Sequence, residues 1–125
     1  MANESINHSV SGQSANDHFK DAEQKFRSND FQGAIDSYNK AIEINPSNAI
    51  AYNNRGNVKD ELGDYQSALN DYNQAIDING LDACFYNNRG VVKRHSDNIE
   101  GAIDDYTKAI ELDPQHATAY YNRGG

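Results

Sequence analysis

The sequence predicts an all-α fold in which helical hairpins stack into a solenoid of three repeats plus a truncated fourth. Three observations carry this expectation. The pentapeptide YNNRG stands at residues 52–56 and again at 86–90, and as YYNRG at 120–124, a constant interval of 34 residues. Apolar and small residues inside each interval recur at helical spacing. The dipeptides Asn-Pro, Asn-Gly and Asp-Pro fall at 45–46, 79–80 and 113–114, the same place in each interval.

The elements follow in order. Residues 1–14, rich in Ser and Asn with little to bury, read as a disordered tail. Repeats are placed at 15–48, 49–82 and 83–116, and residues 117–125 read as the first-helix stub of a fourth. In register, Ala34, Ala68 and Ala102 align, then Tyr38, Tyr72 and Tyr106, then Ala41, Ala75 and Ala109. The segment AIDSYNKAIEI (34–44) sets residues 34, 35, 38, 41 and 42 on one helical face. Proline cannot continue a helix and disfavours helical backbone before it, and glycine is a common stop, so the second helix of each unit ends at the dipeptides above. Asn29-Asp30, Gly63-Asp64 and Asp97-Asn98 supply the turn inside each unit. Helices are expected near 16–28, 31–44, 49–62, 65–78, 83–96, 99–112 and 117–123. Gly56 and Gly90, facing Ala68 and Ala102, remove bulk between helix axes, and the aligned tyrosines fill space against the neighbouring unit. A lone hairpin would expose its apolar face, so stacking supplies the stability.

Composition narrows the function. Asp and Glu outnumber Lys and Arg by 19 to 11, a net charge of −8, and this field repels nucleic acid and suits a neutral to basic polypeptide partner. No run approaches the roughly 20 apolar residues of a membrane helix. The start MANESINHSVSGQS lacks the basic and apolar regions of a secretory signal, so a cytoplasmic setting is expected and no membrane partner. Cys84 is the single cysteine, which precludes an internal disulfide and a cysteine-based zinc site. It reads as a small half-buried side chain, with a reactive thiol as the alternative. No phosphate loop, His-Glu-x-x-His or nucleophile elbow is present, and His8, His18, His95 and His116 fall at unrelated repeat positions. The stretch DINGLD (77–82) lacks the glycine position and terminal Glu of a calcium loop. No catalytic residue, cofactor or metal is expected.

The spacing of Tyr52, Gly56, Ala68, Tyr72, Ala75 and the closing Pro46 and Pro114 resembles the tetratricopeptide repeat, over about residues 17–125. Atypical features are Asp21 and Lys25 in the first unit, Gly80 at a closing-proline position, and the missing second helix of the fourth unit. The resemblance implies a right-handed superhelix whose first helices line a concave, partner-binding groove.

Asn53, Asn54 and Asn57 share one face of the second unit's first helix. Asn87 and Asn88 repeat it, and Asn122 continues it. An amide offers both donors and an acceptor, so such a row could hold an extended peptide by its backbone. It is similar to the asparagine ladder of the O-linked N-acetylglucosamine transferases, carried over to Asn54, Asn88 and Asn122. The alternative is that these are solvated surface residues copied by duplication. Chaperone-tail receptors of the family clamp a carboxylate with Lys and Arg. This chain has Phe19, Glu23, Asn54, Cys84 and Asn88 at the matching places, and only Asn54 fits.

Arg55, Arg89 and Arg123 stand where the family is commonly apolar. Asp71 and Asp105 appear in step with them, whereas the first unit has Asp21 and Ser37. A bidentate Arg–carboxylate pair explains the coupling, running within a unit (Arg55–Asp71, Arg89–Asp105) or back to the preceding one (Arg89–Asp71, Arg123–Asp105). Arg94 and His95 stand where the second unit has Asp60 and Glu61, so the groove is either basic at one end or simply solvated there. The leading expectation is a non-catalytic module that binds an extended peptide in its groove. The alternative is weak self-association through the open C-terminal end, or a fragment of a longer scaffold.

Overall fold

The structure is a computed structural model that describes the backbone of residues 2–124 and the side chains of residues 15–124 apart from 117. Seven helices follow one another: α1 (Ala2–Arg27), α2 (Phe31–Ile44), α3 (Ala49–Glu61), α4 (Tyr65–Ile78), α5 (Ala83–His95), α6 (Ile99–Leu112) and α7 (Ala117–Arg123). No strand occurs among the described residues. The hairpins α1–α2, α3–α4 and α5–α6 stack in order with α7 docked against α6, and the first helices α3, α5 and α7 touch in succession along the concave side of the superhelix. None of the described helices is long and apolar enough to cross a membrane. Helix α1 begins at Ala2, upstream of the start near 16 marked by apolar spacing, in a stretch that holds no proline to stop it. The expectation of disorder over residues 1–14 falls on side chains outside the described residues.

Each boundary has a local cause. Asn29, Gly63 and Asp97 occupy one register position and have φ of 65°, 79° and 67°. Only Gly, Asn and Asp adopt this left-handed backbone readily, which explains the turn composition. Asp30 and Asn98 then cap α2 and α6 by accepting from the amides of Gly33 and Gly101 at 3.0 Å. At the far ends Asn45, Asn79 and Asp113 leave helical backbone, each donating its amide to an alanine carbonyl one turn back.

Between the helices of a hairpin, packing depends on close approach. The rings of Tyr72 and Tyr106 lie directly against Gly56 and Gly90 of their own units, and Tyr72 also packs with Val92 of the next. In the first unit Ala22 takes the glycine place, and Phe19 meets Tyr38 edge-on at 5.8 Å. All three tyrosines are buried, but their hydroxyls differ. Tyr72 donates to Asn57 Oδ1, whereas Tyr106 has Val91 at the equivalent place and its buried hydroxyl finds no partner among the described residues. Tyr106→Phe is therefore expected to be neutral or stabilising, and Tyr72→Phe to cost about 1 kcal/mol. Urea unfolding of the two variants tests this, and equal losses would contradict it.

Burial also disfavours the tyrosinate form, raising all three pKa values, that of Tyr38 to about 12. A raised folded-state pKa gives stability that is full below the ordinary tyrosine value of about 10 and is lost as pH climbs beyond it. Helicity followed by circular dichroism is expected to hold to about pH 10 and fall as pH approaches about 12. Unchanged folding stability across that window would refute the assignment.

Candidate functional site

The pentapeptide that marks the repeat has a contact for every letter. In the third unit Tyr86 donates its hydroxyl to Gly80 O at 3.1 Å, and its ring lies under the Arg89 guanidinium, 5.4 Å from the centroid. The first asparagine accepts from the following unit and the second donates to the preceding one. Asn88 Nδ2 donates to Asn53 Oδ1 at 3.0 Å, and Asn122 Nδ2 to Asn87 Oδ1 at 3.1 Å. Asn53 in turn donates to Asn54 Oδ1 at 3.1 Å.

These bonds divide the asparagines expected on the groove floor. Asn53 and Asn87 are only 6% and 5% exposed and sit in the seam between successive first helices, which leaves them little surface to offer a ligand. Neighbouring residues on a helix differ by about 100° in direction. One position before the groove face therefore already points at the next helix. Asn54, Asn88 and Asn122 are half-buried, and Asn88 and Asn122 each keep a carbonyl oxygen and a second amide hydrogen outside the ladder. Asn57 is half-buried and accepts from Tyr72.

Below the groove lie two matching charge clusters, and the Arg–Asp pairing runs within a unit. Arg55 donates from Nε and Nη2 to the two oxygens of Asp71 at 2.9 and 2.7 Å, and Arg89 to those of Asp105 at 2.9 and 2.8 Å. The third donor group reaches back one unit, Arg55 Nη1 to Asn39 Oδ1 at 2.8 Å and Arg89 Nη1 to Asn73 Oδ1 at 2.9 Å. Lys59 and Lys93 complete the clusters, 3.0 Å from Asp71 and Asp105. Hydrogen bonding to Asp105 raises the Arg89 pKa further, keeping the guanidinium charged.

The first unit builds a related feature with its carboxylate moved to the first helix of the hairpin. Asp21 takes the arginine position and Ser37 the aspartate position. Ser37 donates to Asp21 at 2.6 Å, while Lys25 pairs with Asp21 at 2.9 Å. The Ser37 hydrogen bond and then Lys25 hold the Asp21 carboxyl below its usual pKa. Sequence reasoning missed the lysines as members of the cluster, although Lys25, Lys59 and Lys93 are in register.

Two further expectations change. Cys84 is exposed rather than half-buried, with its sulfur 3.8 Å from His116 Nε2. Partial desolvation and then the nearby Asp82 carboxylate raise its pKa, which disfavours a reactive thiolate. His95 does not form an isolated basic end with Arg94: its Nδ1 lies 2.9 Å from Asp60 Oδ1 of the preceding unit, while Arg94 is exposed. Among the described residues, no group of three potential ligands could hold a metal ion.

A cleft of about 160 Å³ opens where the first two units meet, lined by Glu23, Phe26 and Arg27 of α1, Tyr38 of α2, and Asn54 and Asn57 of α3. It combines an aromatic wall, both charge signs and two amides, which suits a peptide segment better than a small apolar molecule.

Comparisons agree with this architecture. A family model described as TPR repeat matches residues 23–59 and 94–124, and one described as tetratricopeptide repeat matches 49–80. The first TPR of Spaghetti (RPAP3), bound to the HSP90 peptide SRMEEVD, superposes with a TM-score of 0.85 at 26% identity, over 89% of this chain and 88% of that one. The Arabidopsis OM64 TPR domain gives 0.84 at 25% identity, over 89% and 92%. The first TPR domain of human RPAP3 gives 0.84 at 26%, over 87% and 86%. No curated protein sequence matches. With its period, its paired helices and these matches, the chain belongs to the tetratricopeptide repeat family.

Proposed function

We propose that the protein is a non-catalytic interaction module that holds an extended, neutral to basic segment of a partner in its concave groove. The observation that carries this reading is the row of half-buried Asn54, Asn88 and Asn122 on successive first helices, with amide groups left to meet a peptide backbone. Backbone pairing would secure the segment with modest demands on its sequence. The net charge of −8 favours a neutral to basic segment, and in the cleft Glu23 offers a basic side chain a partner beside Arg27. A structural neighbour bound to an HSP90 peptide supports a peptide partner in general. An acidic tail is disfavoured here, because the clamp places hold Phe19, Glu23, Cys84 and Asn88 in place of cations. A cytoplasmic scaffold role belongs to the same proposal and is checked by fractionating cells that express the tagged chain.

Peptides selected from a random display library on the wild type, then titrated calorimetrically, provide the binding test. Asn54→Ala/Asn88→Ala is expected to weaken selected peptides about tenfold or more, with helicity preserved. Selected peptides that bind the double variant equally well would remove the amide row from the binding surface.

A further inference from the structure

Two arginines of the chain show what holds a guanidinium in this array. Arg55 meets both oxygens of the Asp71 carboxylate, the amide oxygen of Asn39 at 2.8 Å, and the ring of Tyr52, 5.5 Å from its centroid. Arg89 meets Asp105, Asn73 at 2.9 Å and the Tyr86 ring at 5.4 Å in the same way. Each site joins one carboxylate, one asparagine oxygen and one aromatic ring.

The cleft of about 160 Å³ between the first two units gathers the same three groups with no guanidinium closed on them. Glu23 is half-buried and forms no ion pair among the described residues, and the half-buried Phe26 supplies a ring. Asn54 and Asn57 supply the oxygens. Each accepts one bond from the chain, from Asn53 and from Tyr72 respectively, and keeps a second lone pair. The polar groups converge, because after burial the largest influences on the Tyr38 hydroxyl are a hydrogen bond from Asn54 and the charges of Glu23 and Arg27. In the next seam Asn57, Asp60 and Glu61 take the places of Glu23, Phe26 and Arg27, and the chain's own side chains engage the first two. Tyr72 donates to Asn57, and His95 lies 2.9 Å from Asp60. The first seam has Glu61 at the His95 register and Phe26 at the Asp60 register, a pair that forms no such bond.

We infer that this cleft receives an arginine side chain of the bound segment, its guanidinium set on the Glu23 carboxylate, reaching Asn54 or Asn57 and lying against Phe26. The inference rests on the groove reading proposed above and adds a residue preference to it. Geometry selects arginine over lysine, because a planar fork of five donors reaches a carboxylate and an amide oxygen together, whereas an ammonium is a point charge. Arg27 opposes a second cation, but it is exposed and screened by solvent while Glu23 is half-buried.

The probe is a random peptide display library selected on the 125-residue protein, with the selected peptides then titrated calorimetrically. They are expected to share an arginine at one fixed position. Replacing it with citrulline, which keeps the shape and loses the charge, should weaken binding about tenfold or more, and lysine should not restore it. Glu23→Gln should cost the arginine peptides about as much and the citrulline peptides nothing further, a coupling that a folding defect cannot imitate. Peptides that weaken on Asn54→Ala/Asn88→Ala yet share no arginine, bind Glu23→Gln equally well, or accept lysine without loss overturn the inference and leave the groove reading standing. A library that yields no peptide removes both.

Discussion

Asp71→Ala is expected to destabilise the protein by about 3 kcal/mol, the range found when one partner of a buried ion pair is removed. The Asp71 side chain is 5% exposed and accepts from Arg55 at 2.9 and 2.7 Å while pairing with Lys59 at 3.0 Å. Without it, a guanidinium and an ammonium, 17% and 16% exposed, face each other in a half-buried space with no counter-charge. Arg55→Ala should cost less, because Lys59 remains to balance the carboxylate. Urea unfolding read by circular dichroism measures both. If Asp71→Ala lost less than Arg55→Ala, the cluster would not be held together by its carboxylate. The cluster stands in two units, whereas the first keeps only the Asp21–Lys25 pair, with neutral Ser37 at the aspartate position donating to Asp21. What the three units share is a carboxylate paired with the in-register lysine, supplied from either helix.

Gly90→Val should be comparably severe, and here two effects compete. A side chain in the helix interior removes the conformational penalty of glycine, a gain of up to about 1 kcal/mol for alanine and less for β-branched valine. Against it, a Cβ at residue 90 would stand 2.7 Å from Tyr106 Cε1, 2.9 Å from Cδ1 and 3.2 Å from the Ala102 carbonyl oxygen. The ring is buried and the carbonyl is backbone, so neither yields without moving α5 from α6. Overpacking of this kind costs about 1–3 kcal/mol even for modest additions, and valine brings two further carbons. The clash wins, with a net loss of about 3 kcal/mol expected from thermal or urea unfolding. A variant at least as stable as the wild type would show that the helices have room to separate.

The repeat period and the Asn-Pro, Asn-Gly and Asp-Pro stops made the α2–α7 boundaries legible, because each rests on local backbone chemistry. The start of α1 was not, since residues 2–14 carry no sustained apolar face. The coupling of Arg55 to Asp71 could be read from the first unit, which has Asp21 and Ser37 at the two register positions and so lacks both partners there, but its direction could not. Partners 16 residues ahead and 18 behind both lie on an adjacent helix, and only the three-dimensional packing separates them. Asn53 and Asn54 exposed a limit of helical-face reasoning. A pattern at three- and four-residue spacing defines a broad sector, and one edge of that sector belongs to the seam. The exposed Cys84 was missed because burial preference describes a residue type and not the end of a particular helix.

The polar bonds across the seams are unequally distributed. Between the second and third units, Asn88–Asn53, Arg89–Asn73 and Asp60–His95 act together, whereas Arg55–Asn39 is the corresponding bond between the first and second among the described residues. The first seam instead gathers Ala22, Tyr38, Ile42, Ala51 and Val58 into one apolar cluster. Apolar burial is nearly indifferent to small sliding motions, while hydrogen bonds hold direction and register. The Glu23–Asn57 cleft therefore opens at a joint held more by apolar burial than by directional bonds, so its two walls are tied in register less firmly than those of the seam that follows.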